Sequence, residues 1–242
     1  MDALLLLALF VGITSAGVTQ VIAGVGVRLV IPPLAILVAG HAEGLRIALT
    51  LGLLISLVMF VGERRNVPVR AFTALGLPIV LSAPVWVFLV GFLPHAVAAR
   101  LAGLVAVGAV VVTVLGVRTG KLVGRTGTIG AGLGASGVFA LGGVGGPVLG
   151  VYARDNHWSA EQARAVVNAG IALAQVMVLG FLGLPNPLEP GLSVGLIALA
   201  VGLLLGGLAT SRLPKLTATK ARTAATFLAA TAAVALLVLG TL

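Results

Sequence analysis

Apolar residues run through this chain in long blocks broken by short turns and charged clusters, and the length of each block sets the first expectation. Crossing about 30 Å of hydrocarbon takes roughly 20 apolar residues in a helix. Blocks of that kind fall at 3–23, 44–61, 71–92, 97–117, 126–142, 162–183, 191–210 and 223–241. Two shorter apolar elements lie at 29–40 and 147–153. The pattern predicts an all-α polytopic membrane protein of eight to ten membrane segments, the number depending on whether the short elements cross. The element at 147–153 is too short to cross as a regular helix, so at membrane depth it must be surrounded by protein or a water-filled cavity.

Both short elements follow Gly-rich breaks, GVGVRLVIPP at 24–33 and GGVGGPVLGVY at 142–152, and the breaks expose an internal repeat. Gly24-Val25-Gly26 matches Gly143-Val144-Gly145 at an offset of 119. Glu43, Arg46 and Thr50 match Glu161, Arg164 and Asn168 at 118, while Phe92-Leu93-Pro94 matches Arg212-Leu213-Pro214 and Arg100 matches Lys220 at 120. So narrow a drift predicts two homologous transmembrane halves, 1–120 and 121–242.

Charged clusters occur at Glu63, Arg64, Arg65 and Arg70; at Arg118, Lys121 and Arg125; at Arg154, Asp155, Glu161 and Arg164; and at Arg212, Lys215, Lys220 and Arg222. If each short element reverses the chain as a span would, all four clusters share one side, the cytoplasmic one, and the halves are inverted repeats. If the short elements are re-entrant, the last cluster lands opposite the first two. Charge bias favours inversion, and the length of 147–153 argues against a full crossing there.

Composition agrees with lipid as the solvent. Hydrophobic residues make up 60% and charged residues 9%, where soluble domains carry about one quarter charged; the mean hydropathy is +1.22. A net charge of +9 could point to nucleic acid. Here, however, Lys and Arg are spread over short loops, and one Tyr and two Trp supply no stacking platform. No nucleic-acid partner is expected. Cysteine is absent, which removes disulfides and thiolate metal sites. The start, Met1-Asp2-Ala3, lacks the basic region of a cleavable signal, so the first block is expected to be a retained span.

The sharpest local signal is Gly142, Gly143, Gly145, Gly146 and Pro147. Glycine lets the backbone turn and approach closely, and proline presets the first turn of a helix that needs no donor there. A helix beginning at Pro147 inside the protein would aim unpaired N–H groups and a positive dipole end at an anion. Broken helices of transporters use this arrangement near the bilayer midplane. The competing role is close packing, for which Gly is common in membrane helices. No P-loop ending follows, so a nucleotide site is not expected.

Arg28 stands at the position matching Pro147. Within a cavity it would pair with an anion through its fork of donors; at the interface its long stem would reach the headgroups. Gln20, Thr50, Ser56, Asn168 and Gln175 are uncharged polar residues in apolar stretches. Thr50 and Asn168 are repeat-equivalent and are candidates to line one cavity, the alternative being interhelical hydrogen bonds. Glu43 with Arg46, and Glu161 with Arg164, have the spacing of helix-surface ion pairs that could brace an interface or gate. His41, His95 and His157 lack a converging ligand set, so no metal site and no cofactor are expected. No enzyme is expected either, since no triad-like context accompanies them.

The duplicated pattern of long span, Gly-rich break, short apolar element and polar residue early in the next span resembles the sulfite exporter family, the TauE/SafE-type permeases of the four-toluene-sulfonate uptake group. The match covers essentially the whole chain and is strongest over GASGVFALGGVGGPVLGVYA at 134–153. The first-half counterpart, SAGVTQVIAGVGVRLVIPPLAIL at 15–37, is similar but carries Val27 and Arg28 where relatives commonly continue with Gly. By resemblance, the polar site early in the next span carries over to Thr50 and, in the second half, to Asn168. The resemblance implies a permease for small anions such as sulfite, sulfonates or other organic anions in the inner, cytoplasmic membrane.

The expected substrate-binding residues are therefore Gly24, Gly26, Arg28, Thr50, Gly143, Gly145, Gly146, Pro147 and Asn168. The expected partners are a small anionic substrate, membrane lipid and a coupling ion, proton or sodium; an oligomer is compatible with the sequence. No clear intramembrane carboxylate stands out as a proton relay, Glu43 and Glu63 both reading as interfacial. The alternatives to a secondary transporter are an anion channel and a non-transporting membrane scaffold.

Overall fold

A computed structural model describes residues 3–23, 26–212 and 216–239. Gly24, with Val25, lies outside the described residues, as do Leu213, Pro214 and Lys215. Among the described residues the chain forms ten α-helices and no strand. They are α1 (Ala3–Ala23), α2 (Val27–Ala39), α3 (His41–Glu63), α4 (Val69–Gly91), α5 (His95–Leu115), α6 (Gly124–Gly142), α7 (Gly146–Asp155), α8 (Ala160–Leu182), α9 (Pro190–Arg212) and α10 (Leu216–Leu239). A 3-10 turn, Arg64–Asn66, joins α3 to α4.

Seven of these helices, α1, α3, α4, α5, α8, α9 and α10, are long and apolar enough to cross a membrane, which suggests a multi-pass membrane protein. Their outer faces are apolar too, as at Leu4, Val58, Leu77, Phe88, Leu204 and Phe227. Helices that are apolar all round need either a protein core or lipid around them. The block expected at 126–142 does form a helix, α6, but it is not one of the seven. Its first half, GRTGTIGAGLG, carries mostly Gly and Thr, and its Gly127, Ala131, Gly132, Ala135, Ser136 and Phe139 side is buried. Protein neighbours cover this side of the helix, while Ile129 and Leu133 on the other side are exposed.

Small residues set how closely the helices approach. A side chain on Gly17 would meet the backbone of Gly202 at 3.0 Å, one on Gly206 would meet Val21, and Thr14 Oγ1 donates to the Ala198 carbonyl at 3.3 Å. These contacts run α1 and α9 side by side in the same direction. On the other flank α4 and α6 do likewise: Gly132 packs on Leu75 and Pro78, Gly137 on Trp86, and Ser136 Oγ donates to the Ile79 carbonyl at 3.3 Å. Between the flanks α3 and α8 lie antiparallel, joined by Ser56 Oγ to Gln175 Oε1 at 3.0 Å.

The two short helices fold back along their predecessors. In the first, Gly26 packs on Ala16, Thr19 and Gln20, and Gly12 on Leu34. In the second, Gly145 packs on Ala135 and Phe139, Gly134 on Val148, and the Tyr152 hydroxyl meets Thr128 Oγ1 at 3.0 Å. Buried hydroxyls mostly bond the carbonyl one turn back, as Ser56 does to Gly52 and Ser82 to Pro78, so they satisfy themselves where no water is at hand.

Candidate functional site

The second break ends α6 and starts α7 within a few residues. Gly143 adopts φ 72°, a left-handed cap that donates its N–H to the Phe139 carbonyl at 3.0 Å. Pro147 then occupies the first turn of α7, whose start no side chain caps. The turn is packed on every side. A Cβ at Gly143 would meet Pro32 of α2 at 3.1 Å and Leu45 of α3 at 3.2 Å; one at Gly142 would meet Ala102 of α5 at 3.3 Å. Gly146 faces Ile171 of α8. Gly145 stands level with Ala135, which a rise of about 1.5 Å per residue puts roughly 16 Å along α6 from Gly124.

The polar cluster gathers around the other short helix. Arg28, in the first turn of α2, donates from Nη2 to Asn168 Oδ1 at 2.6 Å and to Met59 Sδ at 3.5 Å. Asn168 in turn donates from Nδ2 to Glu63 Oε2 at 2.6 Å. Arg164, four residues earlier on α8, bridges the other carboxylate oxygen at 3.1 Å. The negative charge of Glu63 acts on the Arg28 guanidinium. Arg28 Nε is buried and has no partner, although buried donors are paired in the great majority of cases. Gln20 Nε2 reaches Met59 Sδ at 3.7 Å. Gln20 and Met59 also line a cavity of about 550 Å³ on the outer flank of α1, α3 and α9, whose other walls are apolar, Leu54, Val58 and Leu203 among them.

Two of the expected residues, Arg28 and Asn168, are thus brought together across 140 positions of sequence. Thr50 is not with them: it precedes Glu63 by 13 residues on α3, roughly 20 Å at helical rise. Its hydroxyl is buried without a partner elsewhere in the interior. Gly26 opens α2 and sits against Ala16 and Thr19. Gly143, Gly145, Gly146 and Pro147 belong to the separate turn described above, and Gly24 is outside the described residues.

The expected ion pairs divide. Glu43 and Arg46 pair at 3.2 Å, and Arg46 Nε also donates to the Leu182 carbonyl at the end of α8. Arg164 does not pair with Glu161; it crosses to Glu63 at the end of α3. The antiparallel contact brings each helix's first arginine to the other's last turn, so tertiary placement overrides the local spacing. The sequence reads Glu63 as interfacial rather than as part of the cluster, and it does not single out Met59. Gly52, Ser56, Met59 and Glu63 follow the three- and four-residue spacing of one helix face, and that polar stripe was the available signal.

The ends of the bundle differ in charge. Arg154 feels the charges of Arg118 and Arg222, and Arg164 bonds Glu63, so members of all four charged clusters meet at one end. Asp155 works structurally there. It accepts from Thr119 Oγ1 at 2.7 Å, Thr119 N at 3.1 Å and Leu122 N at 3.2 Å. Those donors, the Thr119 hydroxyl foremost, hold its carboxyl below the usual carboxylate range. At the opposite end His41 Nε2 donates to the Leu141 carbonyl at 2.8 Å and shares a cavity of about 90 Å³ with His95. Among the described residues no three His, Cys, Asp or Glu converge as a metal site would require.

No family model, no curated protein and no solved structure matches the chain.

Proposed function

We propose that this chain is a secondary transporter, a permease that carries a small anion of the sulfite, sulfonate or organic-anion class across the cytoplasmic membrane. The observation that carries the reading is the half-buried Arg28 side chain, whose buried Nε is short of a partner and whose Nη2 is joined to Asn168 across 140 positions of sequence. A cation kept in a helical membrane interior is costly and marks substrate or ion pathways. Its remaining donors fit an oxyanion, for which guanidinium offers a planar fork.

An inverted relation of the halves is part of the proposal. Exchanging 1–120 for 121–242 exchanges the α1 and α9 pairing with that of α6 and α4, and both pairs run parallel. Arg46 at the end of α8 corresponds to Arg164 at the end of α3. Ser56 and Gln175, separated by the repeat offset of 119, bond each other where α3 crosses α8. The charged clusters at one end support the cytoplasmic orientation of that end. In this reading one half rocks against the other about the α3–α8 crossing, opening Arg28 to each side in turn. The second break contributes its packed turn, and the Gly-rich resemblance to sulfite exporters is in keeping with the same reading.

The test is flux in proteoliposomes preloaded with sulfite, sulfate, methanesulfonate, benzenesulfonate, acetate or chloride. Saturable uptake with counterflow of at least one of these anions is expected. Absence of flux for the whole panel overturns the proposal, and large conductance without counterflow replaces the carrier by a channel.

A further inference from the structure

Glu63 is the charged group that an anion site at Arg28 leaves without a task. Two partners reach it from α8, Asn168 at 2.6 Å and Arg164 at 3.1 Å, and its charge acts on Arg28 from α2. Arg64 and Arg65 follow it in the 3-10 turn. Of the other helices against α3, α5 carries its His95 and Arg100 toward the opposite end, and α9 has no charged residue over Pro190–Thr210. The Arg164 side chain is 58% exposed, so solvent and salt screen it. Glu63 is therefore the principal counter-charge of the half-buried Arg28.

Asn168 lies between the two, and an amide cannot show the same group to both neighbours. With Glu63 ionised, its NH₂ is committed to the carboxylate and its oxygen faces Arg28. That oxygen occupies an Arg28 donor and presents a negative dipole end to any arriving anion. A proton on Glu63 reverses the order: the acid O–H donates to the amide oxygen, and the NH₂ turns toward Arg28 as an additional donor for the anion. An anion at Arg28 in turn takes over as its counter-charge and repels a carboxylate at Glu63, which favours the proton there.

We propose that anion binding at Arg28 is coupled to uptake of a proton by Glu63 through reorientation of the Asn168 amide, so that the chain carries anion and proton together. This rests on the permease reading. The proton adds to a carboxylate oxygen on binding and leaves from it on release; no bond of the substrate changes.

The anion panel named above is run with the full chain in liposomes, with and without an acidic outside. For a monoanion moved with one proton, one pH unit sustains an accumulation of up to about tenfold. Wild type is expected to approach that ratio, and Glu63→Gln to lose the response to the pH gradient. Proton uptake is also measured on wild type, in weakly buffered detergent solution titrated with whichever panel anion moves. Proton uptake that saturates together with anion binding is expected, and this second readout stands even if Glu63→Gln fails to fold. If no anion moves, the permease reading itself falls. If an anion moves without response to the pH gradient or without proton uptake, or if folded Glu63→Gln keeps the response, the permease reading stands and the coupling is overturned.

Discussion

The unsatisfied Nε of Arg28 and the short bond from its Nη2 to Asn168 make this side chain the most consequential single group in the molecule. Hydrogen bonds to a charged group contribute about 1.5–3 kcal/mol each, so Arg28→Gln is expected to weaken anion affinity by about tenfold or more. Arg28→Lys should not restore it, because an ammonium lacks the planar fork. Titration of purified protein with the transported anion, followed by its thermal stabilisation, measures both; unchanged affinity in Arg28→Gln would remove Arg28 from the site. Asp155 supports a different kind of prediction. Its folded-state affinity for protons is lowered, so its contribution to stability is in full force at neutral pH. It is lost as pH falls from about 4 downward through the folded value. Asp155→Asn should melt earlier than wild type at pH 7 and show less additional loss in acid, as melting curves between pH 3 and 7 would record.

At the scale of the element, the Gly-rich turn before α7 has two glycine requirements of different origin. Gly143 needs its left-handed φ of 72°, which costs other residues about 1–2 kcal/mol, and a side chain there would also press on Pro32 at 3.1 Å. Gly145 has an ordinary φ of −66° but no room: a Cβ would enter the Phe139 ring and come within 2.7 Å of the Ala135 carbonyl. Gly145→Ala is therefore expected to cost more stability than Gly143→Ala, with both melting below wild type in detergent. Equal melting temperatures for all three proteins would contradict the packing described. Loss of transport in a bulkier variant such as Gly145→Leu would report that packing before it reported substrate contact.

For the molecule as a whole, the direction of every helix follows from a few cross-chain contacts, and they imply a labelling pattern. The chain has no native cysteine, so single cysteines can be read without background. Cysteines replacing Arg65, Lys121, His157 and Lys220 should react with an impermeant maleimide from one side of the membrane. Cysteines replacing His95 or Leu188, at the other end of the bundle, should react only from the opposite side. Labelling of positions 121 and 220 from opposite sides would rule out the five-helix reversal in each half and with it the inverted relation.

The apolar blocks determined where helices form, because a backbone in hydrocarbon must satisfy its own N–H and C=O groups within the segment. Helix boundaries followed within a few residues, even for the short pair at 29–40 and 147–153, since Gly and Pro punctuate the chain locally; α10 is the exception, beginning at Leu216 rather than near 223. Arg28 and Asn168 were legible as polar intrusions into apolar runs, but their meeting was not. Nothing local states that residue 28 will face residue 168, or that Arg164 will leave Glu161 for Glu63. Likewise Thr50, matched to Asn168 by spacing in the sequence, lies away from the cluster, because it stands 13 residues before Glu63 on α3. Sequence settles what each segment can be in lipid, through interactions a few residues long. The contacts among small residues that bring helices together decide which of the rare polar groups share a site.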